Sequence, residues 1–152
     1  MGNWFEVKAS YDKTMDNGTQ KKVTEPYLID ALSHAEAENR AIEELKPFIA
    51  GEFTIASVRR KKLAELFFNT EGDRYYQVKI NFITLDEKSG TEKKTLATMY
   101  VQASAIEDAL AIFRKGMEGT MADYTIIEVK ETLTMDVFPY ESEEKRKEAS
   151  DE

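Results

Sequence analysis

One stretch of this chain occurs twice, and that duplication limits the possible folds more than any other feature. Trp4-Phe5-Glu6-Val7-Lys8 returns as Tyr75-Tyr76-Gln77-Val78-Lys79, a step of 71 residues, and Phe53-Thr54-Ile55, Val58 and Phe67 return at the same step as Tyr124-Thr125-Ile126, Val129 and Phe138. Halves of about 70 residues are marginal alone because small domains bury too little surface. The expectation is therefore a tandem pair, residues 1–70 and 71–140, folding as one cooperative unit around a pseudo-two-fold axis. Positions where the copies differ chemically are the first places to look for function.

Each half opens on a strand pattern. Trp4, Glu6, Lys8 and Ser10 alternate with Phe5, Val7, Ala9 and Tyr11, and Tyr75 to Phe82 repeats the alternation. Polar turns follow at Asp16-Asn17-Gly18-Thr19 and Glu87-Lys88-Ser89-Gly90-Thr91, where Asn-Gly and Ser-Gly tolerate positive φ, so a hairpin is expected in each half. The returning strands, Lys22 to Ala31 and Lys94 to Ala103, each run into an S-x-x-E capping box, Ser33 to Glu36 and Ser104 to Glu107. Helices begin there. The second carries an apolar stripe of Ile106, Ala109, Leu110, Phe113 and Met117, the first a sparser one of Ala35, Ile42 and Leu45. Pro47 closes the first helix, and Gly116 with Gly119 the second.

Comparison of the copies decides the last segment. Taken alone, Val58 to Phe67 fits an amphipathic helix through Leu63, Leu66 and Phe67, but its counterpart Tyr124 to Phe138 is rich in β-branched residues and alternates. Both read as single closing strands. The predicted fold is α+β: two tandem ββαβ repeats, with helices packed on one face of antiparallel sheet. Residues 141–152 lack apolar periodicity and are expected to form a disordered acidic tail.

The 152 residues contain no cysteine, which removes disulfides, thiolate nucleophiles and cysteine-based zinc sites. No run approaches the roughly 20 apolar residues of a membrane span, and the start of the chain shows no export signal, so a cytoplasmic protein without membrane association is expected. The net charge of −8 disfavours indiscriminate binding to nucleic acid or anionic membrane. His34 is the sole histidine; beside Glu36 and Glu38 it matches no compact metal-ligand set, and its counterpart is Ala105. No Ser-His-Asp set, phosphate loop or dinucleotide fingerprint is present. Neither a cofactor nor a metal is expected; a single histidine and no identifiable nucleophile leave only carboxylate, lysine or tyrosine chemistry open to an enzyme, and the balance leans against one.

The most suggestive local feature is Arg59-Arg60-Lys61-Lys62, whose counterparts are Lys130-Glu131-Thr132-Leu133. Two explanations compete. In the structural one, Arg60 meets Glu131 across the axis and the lysines guard a sheet edge against aggregation. In the functional one, the run joins Lys21, Lys22, Lys93 and Lys94 as a phosphate-binding strip, with Trp4, Phe5, Tyr75 and Tyr76 available to stack bases. The structural reading is favoured, because aromatic pairs at strand starts are usually core.

Trp4 to Lys8, the segment Lys21 to Ser33 with Glu36-Ala37-Glu38, and Gly119-Thr120-Met121-Ala122-Asp123-Tyr124 together resemble a family of small uncharacterised proteins, a domain of unknown function found in Bacteroides-type bacteria and their phages. The resemblance covers nearly all the chain except the tail and implies a bacterial or phage setting. It carries no catalytic or ligand residues. The leading functional expectation is a non-enzymatic binding or adaptor module with a protein or single-stranded nucleic-acid partner. The alternative is a small-molecule or enzymatic site in a cleft between the repeats.

Overall fold

Alternating β-branched and aromatic residues set the long strands of this chain. The computed structural model, which describes residues 3–139, is a mixed α+β protein with two sheets and two helices among those residues. In chain order the elements are β1 (Trp4–Thr14), β2 (Gln20–Asp30), α1 (His34–Leu45), β3 (Phe53–Lys61), β4 (Glu65–Phe67), β5 (Arg74–Leu85), β6 (Glu92–Ala103), α2 (Ile106–Gly116), β7 (Asp123–Glu131) and β8 (Val137–Phe138). They form two compact units. The described residues of the first are 3–62 and 134–139; the second is Leu63–Leu133. The tail expected over 141–152 lies outside the described residues. Among those residues no helix is long and apolar enough to cross a membrane.

In the first unit β1 and β2 form an antiparallel hairpin in unbroken register from Trp4↔Asp30 to Thr14↔Gln20. Gly18 turns the chain at φ 84°, a left-handed conformation that costs other residues about 1–2 kcal/mol. The Asn17 carboxamide oxygen accepts from both the amide and the hydroxyl of Thr19, which fixes the turn. β3 pairs with the other side of β1, with a bulge at Lys8/Ala9, and β8 adds parallel to β2, giving the order β3-β1-β2-β8. Ser33 caps α1 by accepting from the Glu36 amide at 3.1 Å, while the Glu36 carboxylate accepts from Leu32 N instead of the cap's own amide. The buried helix face is Ala37, Ala41 and Leu45; Ala35 is exposed and Ile42 half-buried, which corrects the expected stripe. Alanines let the helix lie close on Phe5, Val7, Ala9, Tyr27 and Ile29.

The second unit pairs β5 with β6 and β7, with a bulge at Lys79/Ile80, and adds β4 parallel to β6, giving the order β4-β6-β5-β7. The expected capping box of α2 does not form. Ala105 occupies the cap position without a side-chain bond, and the Ser104 hydroxyl donates to Glu71 O. Glu107 and Asp108 in the first turn, with Arg114 and Lys115 in the last, complement the helix dipole instead. Phe113 is fully buried at the centre of this core, edge-on to Phe67 and Tyr124.

Both expected closing strands are broken. β3 ends at Lys61 and Glu65–Phe67 joins β6; β7 ends at Glu131 and Val137–Phe138 joins β2. The Leu66 and the Val137 and Phe138 side chains are buried, and these short segments reach that burial by pairing in a different sheet from the strand preceding them. The sheets are therefore mixed, not antiparallel throughout.

A carboxylate cluster tunes two phenols in the first sheet. Tyr11 Oη donates to Glu25 Oε1 at 2.6 Å, and Tyr27 Oη reaches the same oxygen at 3.4 Å. Donation to Glu25, then burial, pushes the Tyr11 phenol up to about 12; burial, then the Glu25 charge, raises Tyr27 well above the ordinary phenol range. The folded values exceed the unfolded value of 10.0, so the associated stability is complete below that pH and is lost as pH climbs through the folded values. The melting temperature is expected to fall from about pH 10 upward, less steeply in Tyr11→Phe. An ultraviolet titration in which all seven tyrosines ionise together near the unfolded value would contradict the cluster.

Candidate functional site

β3 stands at the edge of its sheet, beside β1 alone among the described residues. Its last residues meet the start of β1: Arg59 faces Glu6, Arg60 faces Phe5 and Lys61 faces Trp4. Strand alternation puts Arg60 on the α1 side with Phe5, and Arg59 with Lys61 on the other. Arg59, Arg60 and Lys62 are exposed, and Lys61 is half-buried. The Arg60 guanidinium lies 5.7 Å from the Phe5 ring centroid and donates to Asn3 Oδ1 at 2.9 Å. Both contacts aim it without neutralising it. Among the described residues none of Arg59, Arg60 and Lys62 forms an ion pair with a carboxylate.

The aromatic residues of the expected strip are packed inside. Trp4 is 9% exposed, Phe5 2%, Tyr75 4% and Tyr76 3%, which leaves no open ring face for a base. Phe5 and Tyr76 belong to the helix-covered cores, while Trp4 and Tyr75 lie on the opposite faces of their sheets and are buried there too. The lysines are not gathered either. Lys22 is level with Asp12 of β1 whereas Arg60 is level with Phe5, seven residues earlier, a separation of about 23 Å along the strand. Lys93 and Lys94 sit opposite Thr84 and Ile83 in the hairpin of the second unit.

The corresponding end of β7 is built with the opposite electrostatics. Lys130 pairs with Glu128 at 3.6 Å, and Glu131 holds Arg74 at 3.1 Å and accepts from Tyr76 Oη at 3.4 Å. The hydrogen bond with Tyr76, then the Glu131 charge, raises the Arg74 guanidinium above its ordinary value. Arg60 and Glu131, expected as partners of each other, thus each take partners from their own unit. One strand end is an exposed cationic patch; the other is internally paired.

Two features escaped the sequence. Arg40 of α1 donates to Asp30 O and, at 3.4 Å, to Pro139 O, and lies 3.8 Å from Glu44; the available signal was that the residue 71 positions on is Ala111. The second is a hollow of about 400 Å³ lined by Glu43, Glu44, Phe48, Asp136 and Phe138 among others. No group of three or more acidic or histidine side chains among the described residues has metal-holding geometry. His34 sets its ring edge-on to Phe5 at 4.9 Å, a packing contact.

With this geometry in place, the chain can be assigned: it belongs to the family described as a domain of unknown function, DUF4494, whose model matches residues 3–140. Neither a curated protein nor a solved structure matches it.

Proposed function

We propose that this chain is a duplicated, non-enzymatic binding module whose first unit takes up an extended acidic segment of a partner protein at the end of β3. The observation that carries the reading is the exposed run Arg59, Arg60 and Lys62, without carboxylate partners among the described residues, at the end of an edge strand of a protein whose net charge is −8. An edge strand offers main-chain hydrogen bonds to an added strand, and adjacent cations give that strand a charge preference. Duplication is supported by the two strand orders, which coincide when β1, β2, β3 and β8 are matched to β5, β6, β7 and β4. The bulges, at Lys8/Ala9 and Lys79/Ile80, fall 71 residues apart, the step of the sequence repeat. We read the second unit as a repeat of the first on that basis, and place the protein in a bacterial or phage setting on the resemblance noted above.

A protein partner is preferred to single-stranded nucleic acid because stacking supplies much of the affinity in nucleic-acid grooves, and here the rings are buried. Fluorescence anisotropy at low salt with a labelled glutamate-rich peptide and a labelled thymidine oligonucleotide tests this. Exposed ion pairs contribute up to about 1 kcal/mol each, so Arg59→Glu/Arg60→Glu/Lys62→Glu is expected to weaken the peptide by about ten-fold or more. Tighter, equally charge-sensitive binding of the oligonucleotide would transfer the strip to nucleic acid. Binding of neither would remove it.

A further inference from the structure

The hollow of about 400 Å³ in the first unit is formed where α1 ends, and the two helices end in opposite ways. α2 finishes on Arg114 and Lys115, which suit the negative end of its dipole, whereas α1 carries Glu43 and Glu44 in that stretch and no base in its last turn. Arg40 answers Glu44 from the turn before, 3.8 Å away. Glu43 is exposed and has no ion pair among the described residues. Lys46, the cap residue, does not line the hollow. Negative charge is therefore left where a helix would ordinarily place positive charge.

The backbone adds acceptors and withholds donors. Pro47 has no N–H to give to Glu43 O, and Phe48 N donates to Leu45 O at 3.0 Å, so the carbonyls of Glu43 and Glu44 both lack their regular helical donors. In the segment that completes the lining, Val137 N is taken up by Asp136 Oδ1 at 2.8 Å, which also steadies that carboxylate, and Pro139 has no N–H. Two rings complete the hollow. Phe138 is 9% exposed and packs into the core, but Phe48 is 72% exposed.

From this set of acceptors and rings we infer that the hollow is a receptor for an arginine side chain presented by a partner protein. A guanidinium carries five donors in one plane, so it can serve carboxylates and carbonyls at once while its face lies on an aromatic ring. A bare metal ion suits the hollow poorly, because its three carboxylates do not gather in metal-holding geometry. The source is a protein chain because Phe48 leaves most of its ring in solvent. A free amino acid could not cover that ring, whereas the residues flanking an arginine in a partner can, and aromatic and arginine anchors are the contacts that dominate such interfaces. The site is distinct from the cations at the end of β3 and does not rest on the acidic-segment reading.

The test is an amide-shift titration of the full-length protein with a short glycine-flanked peptide holding one arginine, and with the same peptide holding citrulline, its uncharged analogue. The arginine peptide is expected to shift the amides of Glu43, Glu44, Phe48, Val137 and Phe138, and the citrulline peptide to leave them in place. Glu43→Gln/Phe48→Ala changes two exposed positions and is expected to weaken the arginine peptide about ten-fold with Trp4 emission unchanged. Asp136→Asn keeps an oxygen for Val137 N, removes the charge, and is expected to act in the same direction. No shift with the arginine peptide, equal binding of the citrulline peptide, or unchanged affinity in the variants overturns the site. Arginine amide binding as tightly as the peptide would make the occupant a small molecule and overturn the partner. Shifts of the same amides on concentrating the protein alone would give the hollow to a second copy, with the same consequence.

Discussion

Phe113→Ala is expected to lower stability by about 3–5 kcal/mol, the usual cost of truncating a buried phenylalanine. The side chain is 0% exposed, and its ring meets Phe67 at 5.9 Å and Tyr124 at 5.7 Å in edge-on geometry. Each such pair adds about 0.5–1.5 kcal/mol beyond area burial. Against a typical total of about 5–15 kcal/mol the loss is large. It removes a side chain that joins β4, α2 and β7 through ring contacts. Denaturant titration measures the loss, and hydrogen exchange should place the lost protection in β5, β6 and α2. A mutant with unchanged midpoint would show that the aromatic cluster does not hold this unit together.

Ending the chain at Leu133 is expected to be still more damaging, because it deletes β8 from a sheet whose other strands come from the beginning of the chain. β2 would lose the bonds from Leu28 N to Asp136 O at 3.1 Å and from Met135 N to Pro26 O at 2.8 Å. The core would lose Phe138, which stacks on Tyr27 at 6.2 Å and packs with Phe5, Ile29 and Leu45. Phe138→Ala alone should cost about 3–5 kcal/mol. The single tryptophan, Trp4 of β1, reports on this unit by fluorescence. A shortened chain that keeps native Trp4 emission and a fully protected β2 would contradict the role given to β8.

Part of this architecture was legible because periodicity is a local property. The alternation of Trp4 to Tyr11 and of Tyr75 to Phe82, the Asn17-Gly18 turn and the Ser33 cap are recorded in neighbouring residues, and the structure forms them locally. The same four-residue pattern at Ser104 failed. Its hydroxyl bonds to Glu71 O because the turn at Gly72 lies directly on β6: a Cβ at Gly72 would come within 2.5 Å of Ala103 Cα, and Gln102 bridges Asn69 N and Gly72 O. No spacing along the chain reports that approach.

The sequence by itself determined the two hairpins, the two helices and their order, and the run of cations from Arg59 to Lys62, since these depend on side-chain period, turn chemistry and composition. Tertiary structure alone decided which sheet each short terminal strand joins, because alternation continues across the breaks after Lys61 and Glu131 while a strand's partner is chosen by what buries its far end. It also decided the chemistry of the two corresponding strand ends. At β7 the charges are spent on Arg74 and Glu128, whereas at β3 Arg60 is steadied by the side chains of Asn3 and Phe5, neither of them charged.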